Sequence, residues 1–405
     1  MVESVFLTHV ALRNYKSIAR CAVELGALSF LVGPNGAGKS NFLDALRLVS
    51  ESLGMSLESA LRDRGGITEV RRRSAGHPTH FAIRLDFSLP DHRVGHYGFR
   101  VGSAPKGGFA VQEEACEIRA GNGASHAFFR VANGRVKDCS EKVMPPAQKD
   151  RLYLVAAAGL PPFRPLFDAL SHMGFYNFNP DEIREWQPSD PGHVLKRDGS
   201  NLASVLGLMQ KENRESYSQV VSFLSSVVPG VVGVSAKQLS KKETLEFRQN
   251  VTSNAPPWRF LAENMSDGTL RALGVLTSLF QAVDGESTRI PLVGIEEPEV
   301  AVHPGAAGVL RDALRVAACN TQVIVTSHSP DLLDDKDILP ECILGVSSNN
   351  GQTTIGPLDE TGKSAIRDRL FTAGELLRQN QLLPAVEASN PDDEDQLHLS
   401  LESPE

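Results

Sequence analysis

Gly33-Pro34-Asn35-Gly36-Ala37-Gly38-Lys39-Ser40 is the stretch that decides the fold. It follows the apolar run Ala27-Leu28-Ser29-Phe30-Leu31-Val32. It precedes Asn41 to Ser52, where Phe42, Leu43, Ala45, Leu46 and Leu48 recur at helical spacing. Strand, glycine-rich turn and helix in that order are the context a G-x-x-x-x-G-K-[ST] phosphate loop needs. The glycines let backbone N–H groups wrap a polyphosphate, and the helix N-terminus adds a field that favours negative charge. Gly33, Asn35, Gly36, Gly38, Lys39, Ser40 and Asn41 are therefore expected to contact a nucleotide. Lys39 would reach its β- and γ-phosphates, and the Ser40 hydroxyl would serve Mg²⁺.

Three further stretches carry chemistry. Ile290-Pro291-Leu292-Val293-Gly294-Ile295 reads as a buried strand that ends in Glu296-Glu297-Pro298-Glu299. Adjacent carboxylates at a strand's C-terminal end suit a nucleotide site in a parallel sheet. Glu296 is expected to hold the Mg²⁺ shell, and Glu297 to orient and polarise the attacking water. Gln322-Val323-Ile324-Val325-Thr326-Ser327-His328-Ser329-Pro330 is a second buried strand emerging at a histidine. His328 is placed to contact the γ-phosphate and sense hydrolysis. In Asn264-Met265-Ser266-Asp267-Gly268-Thr269-Leu270-Arg271, Ser266 is the expected N-cap of a helix with Leu270, Leu273, Leu276 and Leu279 on or near one face. Ser266, Asp267 and Gly268 would present that N-terminus to a phosphate.

These four pieces, in this order, resemble the ATP-binding-cassette group of P-loop ATPases, and more narrowly its SMC, RecF and OLD-like branch. Gly33 to Ser40 stands as Walker A, Ser266 to Arg271 as signature, Ile295 to Glu297 as Walker B, Val300 to Pro304 as D-loop and His328 as H-loop. Asn14-Tyr15-Lys16-Ser17 is similar to the Asn-Phe-Lys-Ser of RecF and SMC heads. Glu296-Glu297-Pro298-Glu299 with His303-Pro304, then Ser327-His328-Ser329-Pro330, is typical of the OLD-like branch. The resemblance implies ATP and Mg²⁺ as ligands, and a head that dimerises around two ATPs. Each site would be completed by the partner copy's Ser266 to Gly268. Two features depart from the pattern: Glu296 replaces the usual Asp, and the signature reads Ser-Asp-Gly-Thr. No Q-loop glutamine stands out between 41 and 160.

The expected architecture is α/β: a P-loop head with a mixed sheet, parallel at its core, and an antiparallel β-subdomain, plus a helical insert. Residues 1–160 would form the first part of the head, with several antiparallel strands between 80 and 157. Residues 161–258 would be a mainly helical insert, 259–378 the second part of the head, and 379–405 an acidic tail. The long span from Ser40 to Ser266 is filled by coiled coil in SMC proteins, but no sustained heptad run occurs here. Within it, Leu195-Lys196-Arg197-Asp198-Gly199-Ser200-Asn201-Leu202 reads as a turn and helix cap.

Over 405 residues, 41 Lys and Arg stand against 49 Asp and Glu, a net charge of −8. Seven acids (Glu387, Asp392, Asp393, Glu394, Asp395, Glu402 and Glu405) follow the last basic residue, Arg378; removing them from −8 leaves −1 for residues 1–378. The acidic sum therefore does not exclude DNA. Arg62, Arg64, Arg71, Arg72 and Arg73 form one basic cluster, and Lys237, Lys241 and Lys242 a second. Either could face a DNA backbone. Five cysteines without a CxxC pattern, no signal peptide and no run near the ~18 apolar residues of a membrane span point to the cytoplasm. The function expected is ATP-gated dimerisation in DNA repair or antiviral defence. The OLD family often carries a TOPRIM nuclease after the ATPase; too little chain follows His328 for one, so a nuclease or toxin effector would be a separate polypeptide. The rival readings are an ATP-gated scaffold that regulates an effector and, less favoured, a transporter-energising subunit.

Overall fold

The computed structural model describes residues 5–385, except 75, 77, 106, 107, 121–125, 252–255 and 284–287. Among the described residues, one mixed sheet of 13 strands forms the backbone of the molecule. Its parallel part runs, in spatial order, Ile343–Asn349, Leu28–Val32, Gln322–Ser327, Leu292–Glu296 and Gly174–Tyr176. These strands are near-continuous apolar runs because both faces are covered. Leu31, Leu292 and Ile324 pack on one side with the helix Lys39–Glu51. Phe30, Val32, Val293, Ile295, Val323 and Val325 pack on the other with the helices Asp267–Phe280 and Ala307–Ala318.

Gln352–Pro357 continues the sheet, antiparallel to Ile343–Asn349 and parallel to Ile18–Glu24. Beyond it an antiparallel limb runs through Leu7–Tyr15, His80–Ser88, Arg93–Ser103, Phe109–Ala120 and His126–Ala132 to Arg135–Cys139. The fold is thus the mixed α/β head expected from the sequence, with its parallel core and antiparallel subdomain.

Strand order decides where the chemistry goes. Leu28–Val32, Gln322–Ser327 and Leu292–Glu296 are neighbours, with Val32 opposite Ser327 and Thr326 opposite Glu296. The phosphate loop, His328 and the carboxylate run therefore leave the sheet from one carboxyl edge, side by side. The loop helix is anchored by Phe42, Leu46 and Val49, all fully buried. Each such side chain contributes about 1.5–3 kcal/mol of burial.

Two expectations about local structure change. The antiparallel strands end at Cys139, short of 157, and Leu154–Ala157 is a helical turn. The reason is Glu114, buried in the sheet, whose carboxylate accepts the N–H groups of Tyr153 and Leu154 and so starts that turn. Residues 161–258, read as mainly helical, do hold the helices Arg164–Ser171, Leu202–Glu212 and Arg214–Val227. They also hold Gly174–Tyr176, an edge strand of the main sheet, and the hairpin Val231–Leu239 with Lys242–Gln249 of a small second sheet. Val231 to Phe247 alternates with a period of two, as a hairpin on one side of a sheet must, whereas the three residues of the edge strand are too few to show a period. The acids read as a tail lie in 386–405, outside the described residues.

Candidate active site

The phosphate loop is braced from behind by strands the sequence does not connect to it. A Cβ on Gly33 would stand 2.0 Å from the carbonyl oxygen of Val346, and one on Gly38 2.2 Å from Thr353 Oγ1. Gly36 and Gly38 take φ of 75° and 107°, a region that only glycine enters without strain. Thr353 Oγ1 donates to the Ala37 carbonyl at 2.7 Å and lies 2.7 Å from Ser17 Oγ. Asn41 Nδ2 in turn donates to Ser17 Oγ at 2.7 Å. Asn41, expected among the nucleotide contacts, is here a brace between the helix and the Asn14–Ser17 turn. Thr353 carried no signal in the sequence; only the fold brings it under the loop.

Lys39 is 5% exposed and folds back into its own loop, donating from Nζ to the Gly33 and Pro34 carbonyls at 2.8 and 3.0 Å. Burial lowers its pKa from the usual lysine value, while Glu297 and Glu299 act in the opposite sense. Asn35, Gly36 and Ser40 are exposed on the rim. A buried ammonium beneath an open ring of backbone amides is an arrangement for an anion.

The carboxylates are fixed by the neighbouring strand. Glu297 N–H donates to Thr326 O at 3.0 Å, and the residue takes φ 46°, so its side chain leaves the strand direction. Glu297 Oε1 lies 3.2 Å from His328 Nδ1. Glu299, which the sequence left without a role, is half-buried: its Oε1 accepts from Ser327 Oγ at 2.6 Å, and its buried Oε2 has no protein partner. That burial raises its pKa above the ordinary carboxylate value. Glu296 Oε1 accepts from Arg197 Nη2 at 2.7 Å.

Ser266 caps the helix Asp267–Phe280, its Oγ accepting from Thr269 N–H at 3.2 Å. Asp267 pairs with Arg184. Ser266 and Asp267 are exposed, and none of the hydrogen bonds among the described residues joins Ser266–Gly268 to the loop of the same chain. Arg271, one turn further, has a buried Nε without a partner. Burial lowers its pKa, opposed by the fields of Glu297, Glu299 and Asp267. The structure thus brings together Lys39, Arg271, Glu297, Glu299 and His328, while Ser266 and Asp267 stay on the surface.

In the first basic cluster Arg64, Arg71 and Arg72 are tied into the scaffold, while Arg62 and Arg73 stay exposed. Arg64, with 4% of its side chain exposed, bonds Asp44 and Glu51. Arg71 donates to Pro78 O, Arg72 to Ser17 O, and Arg73 pairs with Glu69. Lys237, Lys241 and Lys242 stay on the surface, with Lys237 bonded to Glu246. A cavity of about 210 Å³ opens between the far end of the loop helix and Arg197, lined by Arg47, Glu51, His172 and Leu195. It lies away from residues 33–40. The nucleotide reading therefore rests on the loop, not on that cavity. Among the described residues no helix is long and apolar enough to cross a membrane.

Residues 28–105 and 150–334 match the family model described as "AAA domain, putative AbiEii toxin, Type IV TA system". Among solved structures, the chain resembles an SMC head bound to the C-terminal winged-helix domain of ScpA, with 14% identity, TM-score 0.51 and coverage of 86% of this chain and 97% of that one. It also resembles an Smc head with an extended coiled coil bound to the C-terminal domain of ScpA derived from Pyrococcus furiosus. There the identity is 11%, the TM-score 0.52, and 90% and 99% of the two chains are covered. At such identities the likeness is one of fold. A search of curated proteins gave no match.

Proposed function

The chain belongs to that AAA-domain family and has the fold of SMC heads; from that premise we propose that it is an ABC-type P-loop ATPase of the SMC/RecF-like kind, which binds ATP with Mg²⁺ and hydrolyses it to close and open a pair of heads. The observation that carries this reading is the Glu297–His328 pair, 3.2 Å apart at the sheet edge from which the phosphate loop also emerges.

The residues fit the ligand. The glycine loop has positive φ where a phosphate cradle needs it, and nothing lies within 4 Å of a Cβ on Gly36. The oxygen donors Ser40 and Glu296 suit a hard cation that keeps several waters. Bound Mg²⁺ would neutralise charge on the β- and γ-phosphate oxygens. Lys39 would leave the Gly33 and Pro34 carbonyls for those oxygens. Glu297 would take a hydrogen bond from the attacking water, which bonds to phosphorus as the bond to the ADP oxygen breaks. The water's proton passes to Glu297 or to the released phosphate. His328 would hold Glu297 and contact the γ-phosphate.

Ser266 and Asp267 face outward, which supports a role in trans: with Gly268 they would cap the nucleotide held by a second copy, at the positive end of a helix. We place the head in residues 1–160 and 259–378 with the edge strand Gly174–Tyr176, the rest of 161–258 as the insert, and the tail in 379–405. DNA would be met by the surface of Lys237, Lys241 and Lys242. The effector would be a separately encoded nuclease or toxin, in DNA repair or defence against invading DNA.

The test is ATP turnover and sedimentation of wild type, Lys39→Ala and Glu297→Gln with ATP. Turnover that survives both substitutions would falsify the site assignment. Slow wild-type turnover with intact ATP-dependent pairing would instead favour the scaffold reading.

A further inference from the structure

Glu296 has a partner that the reading above leaves without a purpose. Arg197, 99 positions upstream, donates from Nη2 to Glu296 Oε1 at 2.7 Å. The segment around Arg197 is built to make that reach reproducible. The Asn177 N–H donates to the Arg197 carbonyl at 2.9 Å, and the Asn179 N–H to that of Asp198 at 3.0 Å. Asn201, 1% exposed, accepts the Lys196 N–H at 2.8 Å and donates to the Val194 carbonyl at 2.9 Å. Gly199 takes φ 83°, and a Cβ there would stand 2.8 Å from Ile183. On the other side, Leu195 N–H donates to Gln281 Oε1 at 3.1 Å. Gln281, which ends the helix Asp267–Phe280, also donates to the buried Tyr176 hydroxyl at 2.8 Å.

The backbone is therefore clamped on both sides of Arg197, and the side chain, 43% exposed, is left to lie on Glu296. Glu296 needs such a partner. Its Cα is set by pairing with Thr326, but it is one of three carboxylates at the end of the same strand, and like charges close together repel. A guanidinium has the planar fork to fix a carboxylate's orientation as well as its charge.

We propose that Arg197 is a positioning residue for Glu296. It holds one carboxylate oxygen so that the other serves the hydration shell of Mg²⁺. This inference rests on the ATPase reading of the same site. Removing an outer-shell partner of a metal carboxylate typically lowers metal affinity about 10–100-fold.

The experiment measures metal rather than turnover. Binding of a fluorescent ATP analogue is titrated with Mg²⁺, and Mn²⁺ binding is followed by electron paramagnetic resonance, for wild type, Arg197→Met and Arg197→Lys. Arg197→Met, which keeps the apolar stem, is expected to raise the metal half-saturation at least about tenfold. Nucleotide affinity in EDTA and the melting temperature should stay unchanged. Arg197→Lys should fall between the two, and it decides the matter if Arg197→Met melts early. An unchanged half-saturation overturns the proposal. A lowered one does too, since it makes Arg197 a competitor of the metal. If the wild type itself shows no metal-dependent nucleotide binding, the ATPase reading falls, and this one with it.

Discussion

Gly268 lies under the carbonyl of Ala301: a Cβ built on Gly268 would stand 2.0 Å from that oxygen. The first turn of the helix Asp267–Phe280 and the turn after Glu299 are thus in backbone contact, and Ala301 holds φ 63° to make it. The sequence places Gly268 with Ser266 and Asp267 at a helix N-terminus offered to a phosphate. In the fold, its missing side chain admits the neighbouring turn.

Gly268→Ala must separate these turns or shift Ala301. Overpacking of this kind costs about 1–3 kcal/mol, which a urea melt of the free protein would show. The larger effect is expected on ATP-dependent pairing, because Ser266 and Asp267 move with the turn. Sedimentation with ATP should show monomer for Gly268→Ala at concentrations where wild type is paired.

Lys39→Ala and Glu297→Gln should separate binding from hydrolysis. Loss of the buried ammonium removes a cation aimed at the loop, so ATP binding measured by fluorescence should fall sharply. Glu297→Gln keeps the shape, and its amide can still meet His328 Nδ1. Turnover should drop by about 10²–10⁴-fold, the typical worth of a general base, with ATP affinity retained and the paired state prolonged.

Asp44 is predicted to be a stability residue that ties Arg64 of the basic cluster into the fold. It holds the Tyr15 hydroxyl, Lys16, Arg47 and the buried Arg64. Its pKa is depressed well below the ordinary range: Arg64 and Lys16 outweigh the opposing effect of burial. Its stabilising contribution is therefore present above the unfolded-state value of 3.8 and is lost as pH falls below it. Asp44→Ala leaves Arg64 buried without its main partner, at a cost of about 3–5 kcal/mol. Denaturant melts should show that loss at neutral pH. Arg62→Ala, which removes an exposed side chain, should show none.

Glu114 gives the opposite pH dependence. Burial pushes its carboxyl up to about 7, although Tyr153 N–H, Leu154 N–H and the Tyr97 hydroxyl all donate to it. A raised carboxyl pKa means that the folded state holds the proton more tightly. Its contribution is full below the unfolded value of 4.5 and is lost as pH rises to about 7. Melts across that window should show stability falling by up to about 1.4 kcal/mol per pH unit from this group. Glu114→Gln should flatten the profile while lowering stability at acid pH, because its amide NH2 would face a donor, Tyr153 N–H or the pair Leu154 N–H and Tyr97 hydroxyl, where the carboxyl offers an oxygen.

The site was legible in the sequence wherever a residue's chemistry depends on its immediate neighbours. The phosphate loop needs glycines, a lysine and a helix start within eight consecutive positions, and all are there. Ser266 caps its own helix, and Glu296 and Glu297 end their own strand. The parallel core was also readable, since strands buried on both faces must be continuously apolar.

Tertiary structure alone decided what lies beside what. Arg64 looks in the sequence like one of five surface cations and is a buried partner of Asp44, because it turns back onto the loop helix while Val70–Arg72 bond the Asn14–Ser17 turn. Thr353 supports the Ala37 carbonyl from 316 positions away, and Arg197 meets Glu296 from 99 positions away. Local pattern records the period of an element and the chemistry of its ends. It does not record strand order, and here strand order places one loop, two carboxylates and a histidine on a single edge.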